Sequence, residues 1–353
     1  MTQPEAAPPR RKGPSLADVA RLAGVSPQTA SRVSTGSDQV TEQTAVRVRE
    51  AMRELGYIPN HAARALRHGA YKAIGVVTQQ LERTGESLTI GGIVSEAGKR
   101  GYSVTVVQVS QPETSDLQEA LARLAALPID GLIIVRIGLA RNESVTLPPN
   151  LPVVVCDSKL VGFYPAVVGD QVQGIRDLMD HLKALGHRNI HHIAGAADSH
   201  PAVVRQLAWQ QSLLEAGLPP GKLWQGDWTM DSGYRAGLEI AKDPDVTAVL
   251  CGNDEMAFGL IRALNQNGLR VPEDISVVGF DGWELSEFSD PPLTTARQEF
   301  REYAAEAVNI LIDEIEGEAV APRTPKFVPV NVLLRDSSGP VSAKRQRGPV
   351  QPS

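Results

Sequence analysis

The sequence predicts an all-α helix-turn-helix head followed by an α/β core of two doubly wound lobes. Three observations carry this. Residues 15–58 hold three short helical patterns punctuated by capping residues and glycines. Residues 71–336 hold seven apolar runs, most of them separated by helical patterns. At 353 residues the chain is too long for one ordinary hydrophobic core.

In the head, Ser15 can cap a first helix, with Asp18 three residues on as its capping-box partner. Leu16, Val19, Ala20 and Ala23 recur at helical spacing, and Gly24 supplies the left-handed backbone that a tight turn needs. Ser26 caps a second helix whose first turn takes Pro27, where a missing N–H has no consequence. Thr41 caps a third, with Ala45, Val48, Met52 and Leu55 as its apolar stripe and Gly56 at its end. On the second helix Gln28 and Arg32 are four apart and share one outward face. Gln can pair with adenine edges, and Arg with guanine O6 and N7, in the major groove. A three-helix protein-interaction module would show the same helices, so charge separates the two readings. Residues 1–70 hold ten Lys/Arg and six Asp/Glu, a net of +4, and the rest of the chain carries −10. A basic head on an acidic body points to a polyanion as the partner of the head.

The apolar runs of the core are AIGVV (73–77), VTVVQV (104–109), GLIIV (131–135), PVVVC (152–156), IHHIAG (190–195), VTAVLC (246–251) and ISVVGF (275–280). Strands alternating with helices argue for parallel sheets covered on both faces. Seven such units exceed one small sheet and predict two lobes. Ligands in such folds bind outside the carboxyl ends of strands, which directs attention to Asp157, Gly195, Asn253 and Asp281.

Composition removes several alternatives. Hydrophobic residues at 42% and charged residues at 22% are those of a globular protein rather than a disordered one. No apolar run approaches the ~20 residues that span a bilayer. Met1 to Pro14 lacks the apolar stretch of a secretory signal, so a cytoplasmic protein without a membrane partner is expected. Cys156 and Cys251 each end an apolar run and read as buried thiols. His191 and His192 would face opposite ways on a strand, so with His187 they do not read as a metal cluster. No metal, cofactor or catalytic residue is expected. Residues 1–14 and 337–353 lack apolar periodicity and read as disordered tails.

The stretch SLADVARLAGVSPQTASRV, followed by VTEQTAVRVREAMRELGYIPNHAARAL, resembles the head and hinge of the LacI/GalR family of transcriptional regulators. LGHRNIHHIAG, CGNDEMAFG, PEDISVVGFDG and PPLTTARQEF stand in the order and spacing of that family. The resemblance covers about residues 15–336 and is nearest to the lactose-repressor type. It implies a core like periplasmic sugar-binding proteins, with three crossovers between the lobes. The N-lobe would take 71–168 and 299–327, and the C-lobe 169–298 and 328–336. It implies a DNA-binding domain over 15–59 and a hinge helix over 60–70, ordered when a dimer sits on DNA. Ser26, Pro27, Gln28, Thr29, Arg32 and Asn60 would then meet DNA, and Leu66 would be the wedge that opens a central base step. The implied partners are palindromic operator DNA and a second copy of the chain. The tail after Arg335 has three prolines and no leucine heptad, so a homodimer is the expected assembly.

The resemblance also implies an effector site at Asp157, Arg205, Trp228, Asn253 and Asp281, with Phe300 packed at the lobe crossover. The residue chemistry independently fits a sugar. Trp228 offers a flat apolar face, Arg205 a bidentate donor, and the other three hydroxyl partners in a dry cleft. Val135 stands where the lactose-repressor type has an asparagine, with Arg136 beside it, and Thr78–Ser87 is unusually charged. The expected effector is a neutral mono- or oligosaccharide, such as a β-linked disaccharide. The implied function is a repressor released from its operator by that sugar. A sugar-binding protein without a regulatory role would have no use for the head. A sugar-acting enzyme could use Asp254 and Asp281, yet no nucleophile elbow or P-loop is present. The alternative is the same fold with a purine-type corepressor or a phosphosugar as ligand, and an anionic one would ask for a cationic cluster, of which the sequence offers Arg205 alone.

Overall fold

The computed structural model describes residues 14–34, 39–57, 70–109, 114–136, 138, 147, 150–318 and 323–342. The chain divides into two compact units, residues 1–71 and 72–353.

The first unit holds α1 (Leu16–Ala23), α2 (Pro27–Ser34) and α3 (Glu42–Leu55). The Ser15 side chain accepts from the Asp18 amide and the Asp18 carboxylate accepts from the Ser15 amide, completing the capping box. Gly24 ends α1 at φ +63°, a conformation that a Cβ would strain. Val19, Ala20, Ala23, Ala30, Val48 and Ala51 close the small core, with Val25 and Val33 packed against it. Thr41 stands at the start of α3, but its hydroxyl donates to Thr44 Oγ1 at 3.0 Å instead of capping the backbone.

The second unit is built on two six-stranded sheets. The N-lobe sheet orders β11-β5-β4-β3-β1-β2, all parallel, from β1 (Ala73–Thr78), β2 (Ser103–Gln108), β3 (Gly131–Val135), β4 (Val153–Cys156), β5 (Ala166–Gly169) and β11 (Lys326–Val328). One face packs on α4 (Thr84–Lys99) and α11 (Phe300–Ile315), through Ile93, Ala97, Ala304, Val308 and Leu311. The other face packs on α5 (Thr114–Ala125), through Leu117, Leu121 and Leu124.

The C-lobe sheet orders β12-β10-β9-β8-β6-β7, from β6 (Ile190–Ala194), β7 (Leu223–Gln225), β8 (Ala248–Cys251), β9 (Ser276–Asp281), β10 (Thr294–Gln298) and β12 (Val330–Leu333). Only β12 runs antiparallel to its neighbour. On one face lie α8 (Met230–Ile240) and α9 (Asp254–Gln266), and on the other α6 (Gln171–Ala184) and α7 (His200–Glu215). A one-turn helix, α10 (Leu285–Phe288), follows β9. The central strands are buried on both faces, which is why they read as continuous apolar runs. The chain passes between lobes three times: from β5 to α6, from β10 to α11, and from β11 to β12.

Two expectations change. Residues 337–342 are not a free tail, because Ser337 is buried and its Oγ donates to Val277 O at 2.6 Å. The Val277 amide donates to Ser337 O at 2.8 Å, and the Val341 amide to Leu185 O at 3.1 Å. These polar bonds anchor a segment that has no apolar pattern. The sheets are also wider than the seven apolar runs suggested, since β5, β7, β10, β11 and β12 have only three to five residues each.

Candidate functional site

Between the lobes lies a cleft of about 380 Å³. Its N-lobe wall includes Arg83, Glu86 and Arg136, and its C-lobe wall Arg205, Trp228, Asn253, Glu255 and Asp281. The C-lobe residues sit where the carboxyl ends of β6, β8 and β9 and the start of α7 converge, as the parallel sheet dictates.

Arg205 is 1% exposed. Its Nε donates to Gln171 Oε1 at 2.7 Å, one terminal nitrogen to Asp281 Oδ1 at 3.2 Å, and the other to the Gly252 carbonyl. The guanidinium lies 3.8 Å from the centre of the Phe280 ring and 5.5 Å from that of Trp228. Burial pulls its pKa down and the Asp281 carboxylate opposes this. Trp228 adopts φ +77° and lies over Gly195, where a Cβ would come within 2.2 Å of the indole. Asn253 serves the tryptophan rather than presenting a free amide. Its Nδ2 donates to Trp228 O at 3.0 Å, and its Oδ1 accepts from the Met256 amide at 3.0 Å as the cap of α9.

On the N-lobe wall, Val135 is buried in the sheet core and the next residue, Arg136, reaches the cleft. Arg136 stands 3.7 Å from Glu86 and 3.6 Å from Asp157, with its guanidinium over the Phe300 ring at 5.3 Å. Burial raises the pKa of Glu86, while Arg136 and Arg83 pull it back. Asp157 and Phe300 therefore do not line the cleft as expected. They lie behind Arg136, whose longer side chain packs on both. Burial raises the Asp157 pKa against the pull of Arg136 and Arg205.

Two glutamines that the sequence did not single out stand on the C-lobe side of two crossovers, Gln171 at the start of α6 and Gln298 at the end of β10. Gln171 Nε2 donates to Gln298 Oε1 at 2.8 Å, and Gln298 Nε2 donates to Asp281 Oδ1 at 2.7 Å. With Arg205 bonded to both Gln171 and Asp281, the hydrogen bonds form a closed ring at two of the crossovers. Polar bonds also join the two lobes: Thr84 Oγ1 donates to Glu255 Oε1, and Gln79 Nε2 to Asp198 Oδ2 at 3.3 Å. Arg83, Glu86, Thr84, Glu255 and Trp283 also line the cleft without having been singled out. The charged stretch 78–87 was the only signal for the N-lobe members.

Asp254 is fully buried and serves the fold. It accepts from Thr295 Oγ1 at 2.5 Å and from the Trp283 amide at 2.7 Å, and burial raises its pKa well above the ordinary value. The three histidines of 187–192 make separate local bonds, to Thr247 and Ser276, to the Lys222 amide, and to Leu250 O.

In the first unit, Ser26 Oγ accepts from the Thr29 amide at 3.0 Å and caps α2. Pro27, Gln28 and Arg32 are exposed along α2, and Thr29 is half-buried. Asn60 and Leu66, with most of the expected hinge, lie outside the described residues.

Residues 15–60 match bacterial regulatory proteins of the lacI family, and residues 179–338 match the periplasmic binding protein-like domain. The lactose operon repressor of Escherichia coli (strain K12) is 35% identical, over 92% of this chain and 90% of that protein. The HTH-type transcriptional regulator CelR of Thermobifida fusca is 33% identical, over 89% of this chain and 95% of that protein. The lac repressor dimer bound to operator and the anti-inducer ONPF superposes with a TM-score of 0.80 at 33% identity, covering 93% of this chain and 100% of that one. The CelR–cellobiose complex superposes with a TM-score of 0.68 at 29% identity, covering 92% and 100%. A capped helix-turn-helix ahead of two crossover-linked lobes, matched along nine-tenths of its length by such relatives, places this chain in the LacI family of bacterial transcriptional regulators.

Proposed function

We propose that the protein is a repressor that reads palindromic operator DNA as a dimer, through α2, and is released by a neutral sugar bound in the cleft. The observation that carries the sugar reading is the flat Trp228 face beside the buried Arg205–Asp281 pair. An indole face suits the C–H side of a pyranose. A buried donor and acceptor side by side suit hydroxyls, which act as both. The cleft holds three arginines, where the sequence suggested one. Glu86 and Asp281 stand as ion-pair partners of Arg136 and Arg205, and Glu82, Asp227 and Glu255 add further carboxylates. That balance favours a neutral ligand over an anionic one. Relatives known with operator and ONPF, and with cellobiose, support the pairing of DNA with a sugar-type effector.

A sugar shifts the DNA-binding equilibrium only by its differential affinity for two arrangements. A cleft whose walls belong to different lobes supplies such a difference. The test pairs thermal shift against mono- and disaccharides with release of a selected operator duplex. A cognate sugar raises the melting temperature and releases DNA. Arg205→Lys keeps operator affinity but needs roughly tenfold or more sugar, because a point charge cannot hold three bonds in one plane. Release of the Lys variant at the wild-type sugar concentration would remove Arg205 from the site.

A further inference from the structure

The two arginines deepest in the cleft are in opposite states. Arg205 has a hydrogen-bond partner for each nitrogen. The Arg136 side chain is only 9% exposed, yet among the described residues its Nε and one terminal nitrogen have no hydrogen-bond partner. Its carboxylate neighbours, Glu86 at 3.7 Å and Asp157 at 3.6 Å, balance its charge but stand beyond hydrogen-bonding reach. Unmade bonds on a buried guanidinium are unfavourable until an acceptor arrives. The backbone goes out of its way to place this side chain. Arg136 adopts φ +47°, and a Cβ at Gly85 would come within 2.0 Å of its terminal nitrogen.

We infer that Arg136 and Glu86 form a second hydroxyl clamp, on the N-lobe wall, facing the Trp228–Arg205–Asp281 clamp of the C-lobe. The effector is then a sugar with free hydroxyls at both ends, not a glycoside with an apolar aglycone. This deepens the sugar reading and rests on it. Arg136 offers donors, and Glu86 beside it, with a side chain 4% exposed, offers an acceptor. A hydroxyl accepts from the first and donates to the second. An apolar aglycone would bury both without partners, and the ligand is discriminated by what it leaves unpaired. A carboxylate or phosphate would meet Glu86 and Glu255 as like charges.

The experiment is calorimetric titration of the full-length protein with matched pairs: cellobiose against 4-nitrophenyl β-glucoside, and lactose against 2-nitrophenyl β-galactoside. Each pair shares its non-reducing sugar and differs at the other end. In whichever pair binds, the disaccharide is expected to bind roughly tenfold tighter or more. The double variant Arg136→Met with Glu86→Gln keeps the local charge balance and avoids an uncompensated buried carboxylate at 86. It is expected to lose that preference, with the disaccharide weakened roughly tenfold or more and the aryl glycoside bound as tightly as before or more tightly. The inference is overturned if the wild-type protein holds the aryl glycoside as tightly as the disaccharide. It is also overturned if the double variant weakens both alike. If the wild-type protein binds neither member of any pair, the sugar reading itself fails and takes the clamp with it. The wild-type comparison needs no variant, so a misfolded mutant would leave the test intact.

Discussion

His192 shows how one buried side chain sets a pH limit. It has no exposed surface, its Nδ1 is 2.8 Å from Leu250 O, and its ring is tilted against Trp209. The Leu250 carbonyl fixes the neutral tautomer with the proton on Nδ1, and Nε2 has no partner among the described residues. Charging the ring would place a proton on Nε2 with no acceptor, and burial pulls the pKa down to about 4. His191, which accepts the Lys222 amide at 2.7 Å, is pulled to about 4 by the same cause. Both folded values lie below the ordinary value near 6.5. The unfolded chain therefore binds more protons between these limits. The stability these groups contribute is whole above about 6.5 and is lost as pH falls toward about 4. Each contributes at most on the order of 3 kcal/mol across that window. The melting temperature should fall between pH 7 and 5, and His192→Gln should flatten that decline. Equal declines in the two proteins would show that the ring is not the sensitive group.

At the scale of elements, α2 is the helix proposed to meet DNA. Ser26 fixes its start, Ala30 anchors it, and Gln28 and Arg32 remain on its exposed side. Arg32→Ala should weaken specific binding by ~1–3 kcal/mol and relax preference at one symmetric base pair. Gln28→Ala should change preference at a neighbouring position. Binding-site selection with each variant checks this. An unchanged selected sequence in both would mean that α2 does not read bases. The helix ends of this unit were legible because capping is local: Ser15–Asp18 and Ser26–Thr29 each span three residues. Thr41 shows the limit of such reading, since a neighbouring hydroxyl claimed its side chain. The short strands escaped notice for a different reason. β7, β11 and β12 are sheet edges with partly exposed side chains, so neither an apolar run nor a clean alternation marks them.

For the whole molecule, the prediction is a dimer. Two heads reading two half-sites require a two-fold pair. Leu285 and Phe288 on α10 are 47% and 73% exposed, an apolar patch of the kind that subunit contacts cover. Sedimentation at micromolar concentration should give a dimer with and without high salt. A salt-insensitive tetramer would overturn the assignment, and Phe288→Asp gives a check of whether this patch takes part.

The sequence alone determined the alternation of helices with the apolar strands of the core, the three-helix head and the strand-end residues of the C-lobe half of the cleft. Those features are written in period, caps and strand ends, which neighbouring residues decide among themselves. Asn253 and Asp281 were found because they follow or end apolar strands, and Arg205 and Trp228 through the family resemblance. The tertiary structure alone decided which of the expected residues reach the cavity. Asp157 and Phe300 fell behind Arg136, because a long side chain admitted by Gly85 fills the space in front of them. Gln171 and Gln298 lie 127 residues apart, and nothing in either local sequence marks them as partners. Their ring with Arg205 and Asp281 exists because α6, α7, β9 and β10 of the C-lobe bring the four side chains together. The anchoring of 337–342 likewise depends on backbone groups of β9 and α6 that distant sequence supplies. Local signals specify elements. Which polar groups meet in a cleft is a property of how distant elements close upon one another.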